Sequence, residues 1–358
     1  METTRIPRYF FKMIIASMLF VFIGFHCSGK NRNASLEQTN NIRLIKTYPI
    51  TTFSEMAGGA DYIVDRHGNM YLTNLFARAI YKTKAPYKEF TLIGNRGTGP
   101  NEYLTPSRLF LFQNQLYYSD INNGRIKHID LTENASNIHH NTMDISLSSG
   151  GGNKFVVDQD FVYVLNKTSP VLTIYSRKNG KKLNSFLEID SPFNLANTML
   201  NGGGLAIDTH GILYVAAAIP QTIYECKYVN NDLTIIDQVD LFNLPDIVTA
   251  TENKLNKLPV LNHKDKQKSV LNSFTHVADI FVVENPTNLI VIHCFSEKSK
   301  NLYYILNEKG ELVSNFREDK RFLLEASGNQ MYFYTPGKEA ECDTCAAIEE
   351  YRLNTSVN

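Results

Sequence analysis

Residues 94–131 read "GNRGTGPNEYLTPSRLFLFQNQLYYSDINNGRIKHIDL". The glycines at its start raise the question of a phosphate-cradling loop. Such a loop needs Lys and Ser or Thr after its last Gly, and a helix whose N-terminus faces the anion. Here Pro100 and Asn101 follow Gly99, and the next element is the strand-like run "SRLFLF". The glycines instead mark a crossing from one β unit to the next. Within the following unit, "QLYYSD", a short polar loop and "RIKHID" form strand, loop and strand. Tyr117 and Ile126 lie nine residues apart.

The same arrangement recurs along the chain. Runs with a central aromatic or aliphatic residue are "NMYLTN", "QLYYSD", "FVYVLN", "ILYVAA", "NLIVIH" and "QMYFYT". Their in-phase residues are Tyr71, Tyr117, Tyr163, Tyr214, Ile290 and Tyr332, spaced 46, 46, 51, 76 and 42 apart. Nine residues beyond the first four stand Ile80, Ile126, Leu172 and Ile223. Acidic or turn-rich stretches such as "YIVDRHGN", "FVVDQD", "LAIDTHGI" and "LLEASGNQ" lead into the Tyr strands as hairpin turns. "YSRKNGKKLNSF" and "ILNEKGELVSNF" match as strand, Gly turn and strand. Four short antiparallel strands in about 45 residues make one propeller blade. Six units predict an all-β, six-bladed β-propeller over residues 41–355. "NIRLIKTYPI" (41–50) is left over before the first unit, and "AIEEYRLN" ends the last. The N-terminal strand is therefore expected to close the disc as the outer strand of blade six, removing two open edges.

The stretch 94–131 also resembles an NHL repeat, with its G-x-G-P-x-E-aromatic turn, Pro106, the Tyr strand, then Asp120, Asn122 and Arg125-Ile126. More widely, the chain resembles the six-bladed β-propeller lipoproteins of Gram-negative gut bacteria, an NHL-like and TolB-like group mostly of unassigned function. That resemblance carries no catalytic residues onto this sequence.

The N-terminus reads as a targeting segment. Arg5, Arg8 and Lys12 precede "MIIASMLFVFIGF" (13–25), which is short for a membrane span and ends at "HCSGKNRN". The expectation is a signal peptide over 1–26, a lipidated Cys27, and a tether over 27–40. Each buried lipid methylene adds about 0.8 kcal/mol of membrane affinity. No acidic run follows Cys27, so the expected address is an envelope lipoprotein of the outer membrane, facing the periplasm. Cys342 and Cys345, in "ECDTCAA", are expected to form a local disulfide, because no βαβ context or second C-x-x-C supports a redox or metal site.

Lys and Arg number 36, as do Asp and Glu, so no global field draws the chain to nucleic acid. There is no Trp, which counts against the propellers built on Trp motifs. In a propeller the innermost strands begin at one face, where the central channel opens. The residues expected there are Asp61, Arg108, Lys154, Asn201, His276 and Arg321. The three cations would suit a carboxylate or a sulfated sugar. "GGAD" (58–61), "GGGNK" (150–154) and "NGGG" (201–204) precede three of these strands, where Gly relieves crowding at the axis. An insertion over 243–273 is basic, with a helix expected to start at Pro245 and bury Ile247, Leu255 and Leu258. It sits on the mouth face as a lid, a partner contact or a decoration. His67, His210 and His139-His140 read as turn or loop residues rather than metal ligands. No H-E-x-x-H or G-x-S-x-G occurs. Two functions follow. The first is an envelope-anchored scaffold binding an envelope protein or an anionic small molecule or saccharide, with no cofactor or metal. The alternative is a lactonase-like hydrolase or lyase holding a divalent metal in the channel.

Overall fold

The computed structural model describes residues 42–50, 59–99, 102–131, 145–147, 154–200, 202–261, 263–284, 288–296, 300–319, 321–327, 330–335 and 346–353. Cys27, His139, His140, Asn201, Cys342 and Cys345 lie outside them.

Six four-stranded antiparallel sheets follow one another along the chain. Their innermost strands are Gly59–Val64, Pro106–Phe112, Phe155–Val157, Gly203–Ile207, His276–Glu284 and Phe322–Ser327. Each packs beside the next, and the sixth beside the first, so the blades close a ring. Ile42–Ile50 is the outermost strand of blade six, paired antiparallel with Ala346–Leu353. The chain is thus a six-bladed β-propeller closed by its N-terminal strand, as the repeat predicts.

The recurrent tyrosines explain how the blades adhere. Their rings lie between neighbouring sheets, and Tyr71, Tyr117, Tyr163 and Tyr214 are all buried. A buried aromatic removes roughly 150–250 Å² from water but must still satisfy its hydroxyl. The hairpin turns supply the acceptor. Asp65 Oδ1 first accepts the His67 and Asn69 N–H groups, shaping the turn, and its Oδ2 takes the Tyr71 hydroxyl at 3.2 Å. Asp158 repeats this with Tyr163 at 2.7 Å. Where a blade lacks the Asp, a Gln substitutes: Gln115 accepts from Tyr117 and Gln330 from Tyr332. Six apolar clusters result, one between each pair of adjacent blades. The N-terminal strand serves two of them, with Ile42 facing blade five and Tyr48 facing blade one. Tyr48 also donates to Glu350 at 3.0 Å and meets Tyr87 edge-on at 5.0 Å.

The glycine crossing at 94–106 folds around a side chain of its own. Glu102 Oε2 accepts the Gly99 N–H at 2.8 Å, and a Cβ at Gly97 would overlap that carboxylate. Lys127, buried beneath, donates to the carbonyls of Glu102 (2.7 Å) and Gly99 (3.2 Å). Fully buried Asp120 accepts the N–H groups of Leu104 and Thr105. The glycine-rich turn is therefore an internal cap for a blade-to-blade crossing, with a carboxylate where a phosphate loop would hold its ligand.

The insertion departs from expectation. Pro245 lies in a turn, not at a helix start, because Asp246 has a φ of 64° and left-handed backbone cannot continue a helix. Two α-helices follow, Glu252–Leu255 and Lys264–Asn272, with a 3-10 turn at Leu258–Val260 between them. Leu255 and Leu258 are buried as expected, but against Leu271, Phe274 and Ala196 of the crossing helix Ser191–Leu200.

Candidate functional site: the channel mouth

The innermost strands of blades one to three begin in one register. Relative to Ile63, Phe110 and Val156, which face Tyr71, Tyr117 and Tyr163, the residues two positions earlier are Asp61, Arg108 and Lys154. Side chains alternate along a strand. All six residues line a cavity of about 160 Å³, with the charged layer two positions ahead of the apolar one. Blades five and six add Asp279 and Glu325 to the same cavity.

The charges are distributed by blade. Arg108 lies 3.6 Å from Asp61, whose other oxygen accepts the Leu109 N–H at 2.7 Å. Lys154 skips blade four and reaches blade five, with Nζ 2.6 Å from Asp279 Oδ1 and donating to the Ala278 carbonyl. Blade four leaves room because its strand opens with Gly203 and Gly204. A Cβ on Gly204 would sit 2.8 Å from the Ile280 nitrogen. Steric relief at the axis is thus what the glycines of 202–204 provide.

Desolvation dominates the titration of this layer. Burial raises the Asp61 carboxyl, against the opposing pull of Arg108. Burial pushes Lys154 down to about 8 despite its bond to Asp279. Glu325 is held well above the ordinary carboxyl range, first by burial and then by Asp61 and Asp279; the Ala326 N–H on its Oε1 opposes this only in part. Three carboxyl groups therefore share the cavity with two cations, each cation already engaged. Cationic blades two and three face acidic blades five, six and one.

Arg321 does not join the layer. Its guanidinium bonds Glu318 at 3.0 Å and Glu349 at 2.7 Å, tying the end of blade five to the third strand of blade six, and it does not line the cavity. The physical reason is local: two carboxylates stand within reach of a crossing residue. His276 is buried beside Phe295 at 5.4 Å, with its imidazole pushed down to about 4 by burial, and also lies off the cavity. None of the insertion's described residues lines the channel.

Asp279 and Glu325 escape a sequence reading that counts from strand starts. They sit at other distances from the in-phase position: Asp279 three residues before Val282, which faces Ile290, and Glu325 directly opposite Tyr332, whereas Asp61 and Arg108 lie two residues before it, although all four strands carry a β-bulge. The available signal is a lone acid inside an apolar run, in "HVADIFVV" and "RFLLEAS". Among the described residues, no three His, Cys, Asp or Glu side chains are placed to hold a metal ion, and no helix is long and apolar enough to cross a membrane.

No family profile matches the chain, and no curated protein matches it in sequence. Its fold does have solved counterparts. It is similar to a "Putative exported protein" from Bacteroides fragilis, with 10% identity, a TM-score of 0.60, and coverage of 91% of this chain and 98% of that one. A member of the DUF4221 family from Bacteroides vulgatus gives 10% identity, a TM-score of 0.56, and coverage of 88% and 99%. At such identity the likeness is one of fold.

Proposed function

We propose that this chain is an exported, lipid-anchored propeller that binds a small dipolar ligand at its channel mouth. The observation that carries the reading is the segregation of charge around one small cavity. Arg108 and Lys154 enter from adjacent blades, and Asp279, Glu325 and Asp61 from the other side. A zwitterion would set its anionic end toward the cations and its cationic end toward the acids, replacing each intramolecular pair with an equivalent one. An anion alone would draw Arg108 and Lys154 from Asp61 and Asp279 and leave those two carboxyls uncompensated in a low-dielectric space. The carboxylate or sulfated-sugar ligand expected from three converging cations is thus less well supported, since Arg321 stands elsewhere. Export rests on Arg5, Arg8, Lys12 and the apolar run at 13–25. It also fits the exported description of the Bacteroides fragilis protein of similar fold. Anchoring rests on Cys27, and an outer-membrane site facing the periplasm on the residues after it.

The test is calorimetry with three molecules of one length: γ-aminobutyrate, butylammonium and butyrate. The zwitterion should bind tightest, and Arg108→Ala or Asp279→Asn should each weaken it about tenfold, since one charged hydrogen bond contributes roughly 1.5–3 kcal/mol. Butyrate binding as tightly as the zwitterion would restore the anion reading. Palmitate labelling that survives Cys27→Ser would remove the anchor.

A further inference from the structure

A second cavity, of about 460 Å³, opens between blades three and four beneath the crossing that joins them. It does not touch the channel, and its size lies in the range of small-molecule sites. Its walls come from both blades: Val171 and Phe186 on one side, Val215 and Leu233 on the other, with Phe193 of the crossing helix above and Ile235 at the lip. Val171 and Val215 are buried and form the floor, whereas Ile235 is 49% exposed.

The charged side chains lining it are of one sign. Glu188 and Asp190 stand at the rim, and among the described residues no Lys, Arg or His lines the cavity. That rim is fixed in place. The Ser169 hydroxyl donates to Glu188 and accepts the Ile189 N–H at 2.9 Å. Between them and the floor, Leu187 holds a φ of 66°, a conformation a branched side chain seldom adopts, while its carbonyl accepts the Val171 N–H at 2.9 Å. Among the described residues, no hydrogen bond or ion pair engages the Asp190 carboxylate. The rim therefore holds two carboxylates over an apolar chamber, and among the described residues that line it there is no cation to balance them.

We propose that this cleft binds a hydrophobic cation: a small molecule with an aromatic or branched aliphatic body and a protonated amine. The body would fill the chamber between Phe186, Phe193 and Leu233. The ammonium would remain at the rim, within reach of Glu188 and Asp190 and still partly hydrated. An anion of the same body would meet two like charges and no partner, so the cleft selects by sign as well as by size.

Dansylcadaverine, a fluorescent hydrophobic cation, and dansyl-aminocaproate, an anion with the same fluorophore and a comparable spacer, separate these terms. Emission should rise on titration with the cation, with at least tenfold weaker binding of the anion. Glu188→Gln with Asp190→Asn should lower cation affinity about tenfold at low salt and narrow the gap to the anion, as two partly exposed ion pairs would. Ile235→Lys, at the exposed lip, should weaken the cation further without altering the fold. Arg108→Ala, in the channel, should leave dansylcadaverine binding unchanged, which separates this site from the channel reading. Equal binding of cation and anion, or cation affinity unmoved by the double carboxamide variant, would overturn the assignment. Absence of cation binding by the wild-type protein would do the same.

Discussion

Lys154→Met offers the sharpest test of the charged layer. Lys154 is 13% exposed, carries a short bond to Asp279, and still titrates at about 8 rather than 10.5. A displacement of one pH unit corresponds to roughly 1.36 kcal/mol, so the charged form is disfavoured by about 3 kcal/mol on folding. The sign follows from proton counting. Between pH 8 and 10.5 the unfolded chain keeps a proton that the folded chain has begun to release, so folding becomes more favourable as pH rises. The contribution is complete above 10.5 and is lost as pH falls through 8. Between pH 7.5 and 9.5 it amounts to about 2 kcal/mol. Buried tyrosines act in the opposite direction at higher pH, because burial holds hydroxyls such as Tyr103 and Tyr334 near 12. The comparison is therefore made below pH 10, as a difference against Lys154→Met. Urea unfolding followed by far-UV circular dichroism at pH 7.5 and 9.5 gives both free energies. Wild type should gain about 2 kcal/mol relative to the variant over that step. Parallel pH profiles would show that Lys154 is solvated and that the charged layer is not a desolvated site.

Other perturbations test the rest of the architecture. Tyr48→Ala removes the ring that joins the closing strand to blade one and should cost about 3–5 kcal/mol in chemical unfolding; a loss under 1 kcal/mol would place the closure elsewhere. Tyr163→Phe deletes only the hydroxyl on Asp158 and should cost about 1.5–3 kcal/mol, as for hydrogen bonds to charged groups, with the m-value unchanged. Gly204→Ala should cost about 1–3 kcal/mol through overpacking against Ile280, and wild-type stability would show that the axis has spare room. His276, held near 4 by burial, resists a proton that the unfolded chain takes up at 6.5. Stability should therefore fall as pH drops from 6.5 through 4, and His276→Phe should flatten that slope.

The blade count, the strand order and the closure were legible because they rest on period. Inner runs recurring every 42–76 residues, most with a central Tyr, and in the first four an aliphatic nine residues later, record where side chains must enter the space between two sheets. Channel positions were legible where the register repeats, at Asp61, Arg108 and Lys154. They were lost where the acid stands at another distance from the in-phase position, Asp279 three residues before the partner of Ile290 and Glu325 opposite Tyr332 itself. That is why Asp279 and Glu325 were missed; Arg321 was misplaced because Glu318 and Glu349 hold it away from the channel. The cleft between blades three and four had no local signature at all. Phe186 and Leu233 are 47 positions apart and meet only because two blades stack.

The closing strand also imposes an order in time. Ile42–Ile50 can pair with nothing in its own sheet until Ala346–Leu353 exists. At a synthesis rate of about 5–20 residues per second, some 300 intervening residues occupy roughly 15–60 s. Throughout that interval the early strand waits while the blades after it are made, and these cannot yet form a circle. The ring therefore completes in a single late event, and a chain halted before residue 346 would leave blade one and blade six open together.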